Sequence, residues 1–496
     1  MTQLEFYGGI KEIGGNKILV EDKGTRVFLD FGMQMGRAND YFAEFMKPRT
    51  LNGMGDLFEF DLLPQLDGIY RKDYAKHMGL KHWDSETSVD AVLLSHAHVD
   101  HCAYIKYLRP EIPVYCTEAT KMILQVFDDA GMGEEYITYK RNFGFHKKNG
   151  VGIKTIGKKR ETKPRDIRLI KNLEKFKVGN IEVEPIAIDH SLPGACGFLM
   201  HTSSGTLGYT ADIRFHGRHP DDSQKFVDRC GSEKPDCLLC EGTRIDVPKS
   251  DLTEIEIESK ARTMMEDTKG LVVCSYPPRD LDRMLSFYNA AKAAGRVLAI
   301  DTRQAYLLKL FDESEECRGL FPSPKDPSIR VYLSRKKWGL IDKDPDYWTK
   351  KLVREDYKAW EHEFLSYDNA VDYRDISKKQ NDYVFHCSDF KLQELIDVRP
   401  DEGSRYIRSS TEPFDEEMEL DQVRVKRWLG KFGLIGSDNK WETLHVSGHG
   451  THDQIKGVID GSASKMLIPI HTNKEDHFDA LHNNVRKVNL GDTLHL

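Results

Sequence analysis

The chain has 496 residues, 39% of them hydrophobic and 31% charged, which is enough length for two independent cores. No apolar run approaches a membrane span, and Met1-Thr2-Gln3-Leu4-Glu5-Phe6 lacks the basic-then-apolar pattern of an export signal, so a cytoplasmic protein with no membrane partner is expected. Nine irregularly spaced cysteines read as reduced thiols rather than a disulfide framework, and with 72 basic against 80 acidic residues any attraction for phosphate must be local.

In chain order, Gly8-Gly9-Ile10-Lys11-Glu12-Ile13-Gly14-Gly15-Asn16 carries a glycine pair suited to a tight turn. The short strand Val27-Phe28-Leu29 ends in Asp30. The stretch from about Arg37 to Trp83 contains Tyr41, Phe42, Phe45, Phe58, Phe60, Tyr70 and Tyr74, read as half-buried packing, with base stacking near a site as the alternative. Val89-Asp90-Ala91-Val92-Leu93-Leu94 predicts a strand that runs straight into Ser95-His96-Ala97-His98-Val99-Asp100-His101. Past a strand's end the alternation of faces lapses, so neighbouring side chains can converge on ions, and imidazole with carboxylate suits zinc or another first-row divalent metal.

Between Lys140 and Lys177 fourteen Lys or Arg face three acids, among them Lys147-Lys148, Lys158-Lys159-Arg160, Arg165, Arg168 and Lys171. Such a local basic face can attract phosphates on an acidic protein, and a charged, soluble hairpin is the plainer reading. Further strands end in ligand-type residues: Ile181 to Ile188 runs into Asp189-His190, Thr206 to Thr210 into Ala211-Asp212, and Met466 to Ile470 into His471. A lone His or Asp there is usually a turn residue, and the ordered set is what carries the signal.

From about residue 250 to 430 helices and short strands alternate: helix from Glu254 to Thr268, strand from Leu271 to Tyr276, helix from Asp280 to Ala294, then strands at Arg296 to Ile300, Ile329 to Leu333 and Tyr383 to Cys387. That rhythm predicts an α/β domain with a mainly parallel sheet. Cys240-Glu241-Gly242-Thr243 precedes it, and Leu444-His445-Val446-Ser447-Gly448-His449-Gly450-Thr451 follows, with Thr451 placed to cap a helix. Cys237 and Cys240, three apart on a strand, face opposite sides and make no zinc pair. The acids Glu412, Asp415, Glu416, Glu417, Glu419 and Asp421 are expected to face water.

The ordered ligand set resembles the metallo-β-lactamase fold. The resemblance implies an αββα sandwich in which His96, His98 and His190 hold one divalent ion and Asp100, His101 and His471 a second. Asp212 would bridge the two and Asp30 order the site by hydrogen bonds. Zinc is the expected metal, with manganese or magnesium as alternatives. Two ions about 3.5–4 Å apart can acidify a shared water and neutralise charge on a phosphoryl oxygen, so hydrolysis is the implied chemistry.

The long insertion and its flanking phrases are similar to the β-CASP nucleases, with Glu241 at motif A, His449 at motif B and His471 at motif C. In that group the motif B histidine protonates the leaving oxygen. A histidine at motif C, with the phrases Gly8 to Asn16, His445 to His449 and Ile468 to Thr472, most resembles ribonuclease J. The expectation is thus a two-metal phosphodiesterase acting on single-stranded RNA, 5′-to-3′ and favouring a 5′-monophosphate held by His445 and Ser447. Endonuclease activity and a homodimer are also expected. A DNA-directed or endonucleolytic relative and a non-catalytic binding protein are the alternatives. The expected domains are 1–248 and 436–496 for the sandwich, with 249–435 inserted.

The pattern departs from ribonuclease J in its Glu-Gly-Thr at motif A, in the extra sequence from Arg37 to Trp83, and in having no additional domain before Leu496.

Overall fold

Strand Thr2–Gly8 alternates buried and half-buried positions, so Leu4 and Phe6 face the core while Gln3, Glu5 and Tyr7 face outward. It belongs to a seven-stranded sheet whose order across is Ile167–Leu169, Val114–Cys116, Ala91–Leu93, Thr25–Leu29, Lys17–Asp22, Thr2–Gly8 and Thr493–His495. A second sheet of six strands runs Phe176–Val178, Ile181–Ala187, Cys196–Thr202, Gly205–Tyr209, Cys237–Glu241 and Leu467–Ile470. Inward side chains of both sheets, such as Phe6, Val20, Leu29, Leu93, Val183, Phe198, Leu207, Leu239 and Ile468, form one buried cluster. Helices Pro220–Glu233 and His452–Ser462 add Phe226, Val227, Ile455 and Val458 to it. This computed structural model describes all residues except 44, 132–133, 157–161, 250–251, 337–353, 412, 414–415 and 437–439, and except the side chains of 148 and 154–156.

Within each sheet, the strands that matter for chemistry run parallel. Thr25–Leu29 pairs with Ala91–Leu93, which pairs with Val114–Cys116, all in one direction. In the other sheet Gly205–Tyr209, Cys237–Glu241 and Leu467–Ile470 also share one direction. Their carboxyl ends carry Asp30, Ser95, Asp212, Glu241 and His471. Three exits from these strands place a non-glycine residue in the left-handed region, Asp30 at φ 55°, Ala211 at φ 48° and His471 at φ 51°. Each such conformation costs on the order of 1–3 kcal/mol and persists only where the surroundings fix it.

The chain divides into two compact units, the first comprising Met1–Phe215, His219–Ser250 and Gly448–Leu496, the second His216–Arg218 and Asp251–Ser447. The second unit holds a seven-stranded, wholly parallel sheet of order Ala370–Val371, Ile329–Tyr332, Val297–Asp301, Tyr383–His386, Val272–Ser275, Arg405–Arg408 and Glu442–Thr443. Its helix Glu254–Asp267 starts at a capping box between Thr253 and Glu256. Inside this unit the fully buried Arg283 forms a paired contact with the equally buried Glu254, Nε to Oε1 at 2.7 Å and Nη2 to Oε2 at 2.9 Å.

Several expectations are refined by the coordinates. Arg165 is buried and spends its guanidinium on the carbonyls of Glu135, Leu108 and Lys106, which withdraws it from the basic face read in the sequence. Lys158, Lys159 and Arg160 lie outside the described residues, as do Glu412 and Asp415, while Glu416, Glu417 and Glu419 occupy the first turn of helix Glu416–Lys431. Among the described residues no helix is long and apolar enough to cross a membrane. All nine cysteines are buried.

Candidate metal centre

The segment after strand Ala91–Leu93 folds into a loop and a single helical turn, Val99–Cys102, which sets His96, His98, Asp100 and His101 around one point. Backbone bonds clamp that turn. Gly15 and Asn16 amides donate to Asp100 O at 3.0 and 3.2 Å, Phe31 N to His101 O at 2.9 Å, and Met33 N to Val99 O at 3.1 Å. Gly14 sits at φ 79°, and a Cβ there would stand 2.7 Å from the Asp100 side chain, so the glycine pair serves both as a turn and as close backing for a carboxylate.

Two groups of donor atoms result, each within a 4.8 Å span: His96, His98, His190 and Asp212, and Asp100, His101, Asp212 and His471. A third group joins Glu241, His449 and His471. Asp212 belongs to both of the first two. Its carboxylate is 1% exposed, and neither oxygen accepts a hydrogen bond among the described residues.

The outward nitrogen of each ring is held by another part of the chain, and this fixes which nitrogen carries the proton. His101 Nδ1 donates to Asp30 Oδ2 at 2.7 Å, and His190 Nδ1 to Gly448 O at 2.7 Å. His471 Nδ1 lies 2.7 Å from Thr243 Oγ1, which is 3.1 Å from His471 O, so the ring donates to the hydroxyl and the hydroxyl to the carbonyl. Ser95 Oγ donates to Asp30 Oδ2 at 2.8 Å and therefore accepts from His96 Nδ1 at 3.0 Å. These partners leave Nε2 of His96, His190 and His471 with a bare lone pair aimed inward, and turn Nε2 of His101 to the same point.

Asp30 is the hub of that outer set. It is fully buried, accepts also from Ser95 N at 2.7 Å and from Tyr209 OH at 2.6 Å, and Tyr209 in turn accepts from Asn16 Nδ2 at 2.9 Å. Behind His190, fully buried Arg214 donates to Asp189 Oδ1 at 3.2 Å and to His190 O at 3.1 Å.

The inward atoms crowd without enough protons between them. His96 Nε2 is 3.0 Å and His190 Nε2 2.9 Å from His98 Nδ1, where one proton at most could lie. His101 Nε2 stands 3.1 Å from Asp212 Oδ2 but is not aligned for a hydrogen bond. His471 Nε2 is 3.1 Å from Asp100 Oδ2 and 3.7 Å from Asp212 Oδ1. Facing lone pairs in a buried space repel one another unless a cation lies among them. The donor set, imidazole nitrogen with carboxylate oxygen, fits two divalent ions of the zinc type.

The local electrostatics say the same. Burial, with the neighbouring imidazoles, pushes the pKa values of His96 and His190 well below the usual range, so both rings stay neutral and able to ligate. Burial also opposes charge on His101, yet Asp212, Asp100 and Asp30 more than reverse this and hold it well above the usual imidazole value. Asp212 and Asp100 resist burial through the surrounding histidines, His101 first, and are held below the usual carboxylate range.

Two further residues adjoin the cluster. Glu241, fully buried, accepts from Ile213 N at 3.1 Å and Thr243 N at 3.0 Å, and its Oε1 lies 3.2 Å from His449 Nδ1. The His449 side chain is 20% exposed, against 0% for the rings of His96, His101, His190 and His471, so unlike those four it faces outward. Burial lowers its pKa, but Glu241 and Asp212 outweigh that and raise it to about 9. Thr451 caps helix His452–Ser462 two residues later, through a capping box with Gln454. His445 and Ser447 belong to the second unit, where His445 Nδ1 lies 3.4 Å from an Arg283 nitrogen and Ser447 O 2.9 Å from His216 Nε2.

Thr243, Ser95, Tyr209, Asn16, Arg214 and the carbonyl of Gly448 were not singled out as supports by the sequence. Only Gly448 leaves a local sign, since a Cβ there would stand 2.8 Å from the His190 ring.

A model of the β-lactamase superfamily domain matches residues 73–251. Ribonuclease J of Mycobacterium tuberculosis is 24% identical over 295 residues, 58% of this chain and 42% of that protein. Ribonuclease J of Pyrococcus abyssi is 25% identical over 279 residues, 54% of this chain and 50% of its own length. With ribonuclease J of Corynebacterium glutamicum the match extends over 474 residues at 20% identity, 94% of this chain and 52% of the relative. The chain thus spans about half the length of the curated relatives it matches. Among solved structures, a protein of unknown function from Enterococcus faecalis V583 aligns over 100% of both chains with a TM-score of 0.72 and 22% identity. This chain has the metallo-β-lactamase fold, and the relatives it is similar to in sequence are ribonucleases J.

Proposed function

We propose that this protein is a two-metal phosphodiesterase that hydrolyses RNA from the 5′ end. The observation that carries the reading is the set of inward lone pairs around Asp212, whose outer nitrogens are fixed by Asp30, Ser95, Thr243 and Gly448. His96, His98, His190 and Asp212 would hold one ion and Asp100, His101, Asp212 and His471 the other. Bound there, a pair of zinc or manganese ions supplies Lewis acidity to a water and to the phosphoryl oxygens.

The chain's own residues do the rest. Asp30 keeps His101 in the ligating tautomer and, through Ser95, steadies His96. Glu241 orients His449 and favours its protonated form, so the imidazolium can deliver a proton to the leaving oxygen of the ribose. We assign His445 and Ser447 to the terminal 5′-phosphate on their motif alone. Ribonuclease J relatives support RNA as the substrate and favour it over DNA. Nine buried thiols suit a reducing cytoplasm, and a homodimer is part of the same proposal.

The test is digestion of one single-stranded RNA bearing either a 5′-monophosphate or a 5′-triphosphate, with a DNA strand of the same sequence alongside. Mononucleotides from the monophosphorylated RNA, lost in His96→Ala and Asp212→Ala, are expected. Internal fragments alone would overturn the exonuclease reading, and equal cutting of DNA would overturn the choice of RNA.

A further inference from the structure

The buried ion pair of the second unit does more than join two helices. Asp280 caps helix Leu281–Ala293 by accepting from Arg283 N at 2.9 Å, and a side chain in the first turn leans back toward that end. Nε and Nη2 of Arg283 go to Glu254, whose Oε1 also accepts from Ser286 Oγ at 2.6 Å. Of the five N–H donors of a guanidinium, three then remain. They reach chain that has just left two strands of the parallel sheet. Ser409 Oγ lies 2.7 Å, Ser409 O 3.2 Å and Leu444 O 3.4 Å from Nη1, and Val446 O lies 3.4 Å from Nη2. Arg283, Glu254, Ser286 and Ser409 are all 0% exposed. Packed apolar side chains would join the helices as well as a desolvated ion pair does, so stability alone does not account for these groups.

Segment 444–447 continues past strand Glu442–Thr443, with Leu444 N bonded to Arg408 O at 2.8 Å. Leu444 and Val446 are buried while His445 and Ser447 are half-buried, the alternation of an extended chain, so His445 and Ser447 share one face. The carbonyls of Leu444 and Val446 meet the guanidinium, and Ser447 O accepts from His216 Nε2 at 2.9 Å. His216 is tied in turn to the ion pair, since its carbonyl accepts from Glu254 N at 2.9 Å. Carbonyl oxygens that would repel an anion are thus occupied by donors. The ring of His445 is set by the same cation, because its Nδ1 lies 3.4 Å from Arg283 Nη1. A guanidinium only donates, so an N–H at Nδ1 would meet another N–H, and the ring's one proton belongs on Nε2.

We infer that Arg283 is a positioning residue for recognition of the RNA 5′ end: braced by Glu254, it fixes segment 444–447 and holds His445 as a neutral Nε2–H donor to the terminal phosphate, beside the Ser447 hydroxyl. The inference rests on the RNA reading above and on its assignment of His445 and Ser447. A terminal phosphate offers three strong acceptor oxygens and a 5′-hydroxyl only one, so two donors fixed in place tell the two ends apart. The charge of Arg283 is already answered by Glu254. A cation left unanswered there would draw any phosphate of the strand, whereas neutral donors select by the number and direction of acceptors.

Two experiments test it. In nitrogen NMR of protein carrying isotope-labelled histidine, the signal lost in His445→Gln should show a bare Nδ1 and a protonated Nε2 at pH 7; an Nδ1–H ring or an imidazolium would overturn the inference. In steady-state kinetics the readout is the ratio of kcat/KM for 5′-monophosphorylated RNA to that for 5′-hydroxyl RNA. Arg283→Lys keeps the charge beside Glu254 but not the fork, and should lower this ratio about tenfold or more, mainly through KM for the phosphorylated strand. Hydrolysis of bis(4-nitrophenyl) phosphate, which has no terminal phosphate, should fall far less. His445→Gln supplies a neutral N–H near the reach of Nε2 and should keep most of the preference, while His445→Leu should lose it; this pair decides the matter if Arg283→Lys does not fold. Equal loss in both would refute the neutral-donor role. An unchanged ratio in Arg283→Lys, or an equal fall on both RNAs and the small diester, would make Arg283 purely structural and refute the inference while the 5′-end reading stands. If the unmutated protein cuts both RNAs equally, the phosphate assignment and the inference fall together and the nuclease remains; if it cuts neither, the RNA reading falls as well.

Discussion

Thr243→Val removes one hydroxyl and keeps the side chain's shape. His471 Nδ1–H then has no acceptor, and His471 O loses the donor that stood 3.1 Å away. A polar group left unpaired at a buried position costs about 1–3 kcal/mol, and the cost falls on the one tautomer whose Nε2 can ligate. At about 1.4 kcal/mol per decade this weakens one ion roughly 5- to 150-fold, in line with the 10–100-fold typical of removing an outer partner of a metal-bound histidine. The ion that His96, His98 and His190 would hold keeps its own outer partners, Ser95 and Gly448, and should be scarcely affected. Titrating ion-free protein with zinc against a chromophoric chelator resolves the two affinities, and metal analysis after desalting should give close to one ion per chain in place of two. Equal weakening at both positions would show that Thr243 supports the fold rather than His471, and no weakening at either would refute the tautomer argument itself.

Three other outcomes are expected. His449→Ala should lower kcat on RNA by about 10²–10⁴ while both ions are retained, and should lower it much less on a 4-nitrophenyl diester, whose leaving group needs no proton; loss of metal would contradict its role. Because the pKa of His101 is held well above the usual range in the ion-free protein, it is charged at pH 7 and must shed its proton to ligate, so affinity at that position rises with pH until the pKa is passed. Calorimetry of zinc binding in buffers of different ionisation heat should show at least one proton released per chain, and none released would sink the assignment. Tyr209→Phe keeps the ring and removes a 2.6 Å bond to the buried Asp30 carboxylate, so urea unfolding of the ion-free protein should show a loss of about 1.5–3 kcal/mol; unchanged stability would mean that Asp30 does not depend on it.

The inward-facing groups could be read from the sequence because each sits where a predominantly apolar strand ends, and such a strand announces itself by composition. The alternation of helices and strands in the insertion was readable for the same reason, with boundaries within a residue or two for Val272–Ser275 and Val297–Asp301. Strands Arg405–Arg408 and Glu442–Thr443 were not, since they are short and carry charges at their ends. The outer partners were hidden for a different reason. Thr243 meets His471 across 228 positions and Gly448 meets His190 across 258, and no local pattern encodes a contact made only once such distant segments have folded together. The left-handed turns at Asp30, Ala211 and His471 likewise follow from the surrounding bonds and not from the residues that adopt them. Arg165 shows the converse: counted as a surface charge, it proves to be an interior bracket for three carbonyls.

The first unit is written in separated pieces, and its cation-holding groups are divided among them, with Asp100 and His471 standing 371 positions apart. While the ribosome is still working through the inserted unit, the emerging polypeptide already displays His96, His98, Asp100 and His101 but lacks the imidazole that completes their set. Any product abandoned before residue 471 therefore cannot assemble the full set of donors that the proposed two-metal site requires.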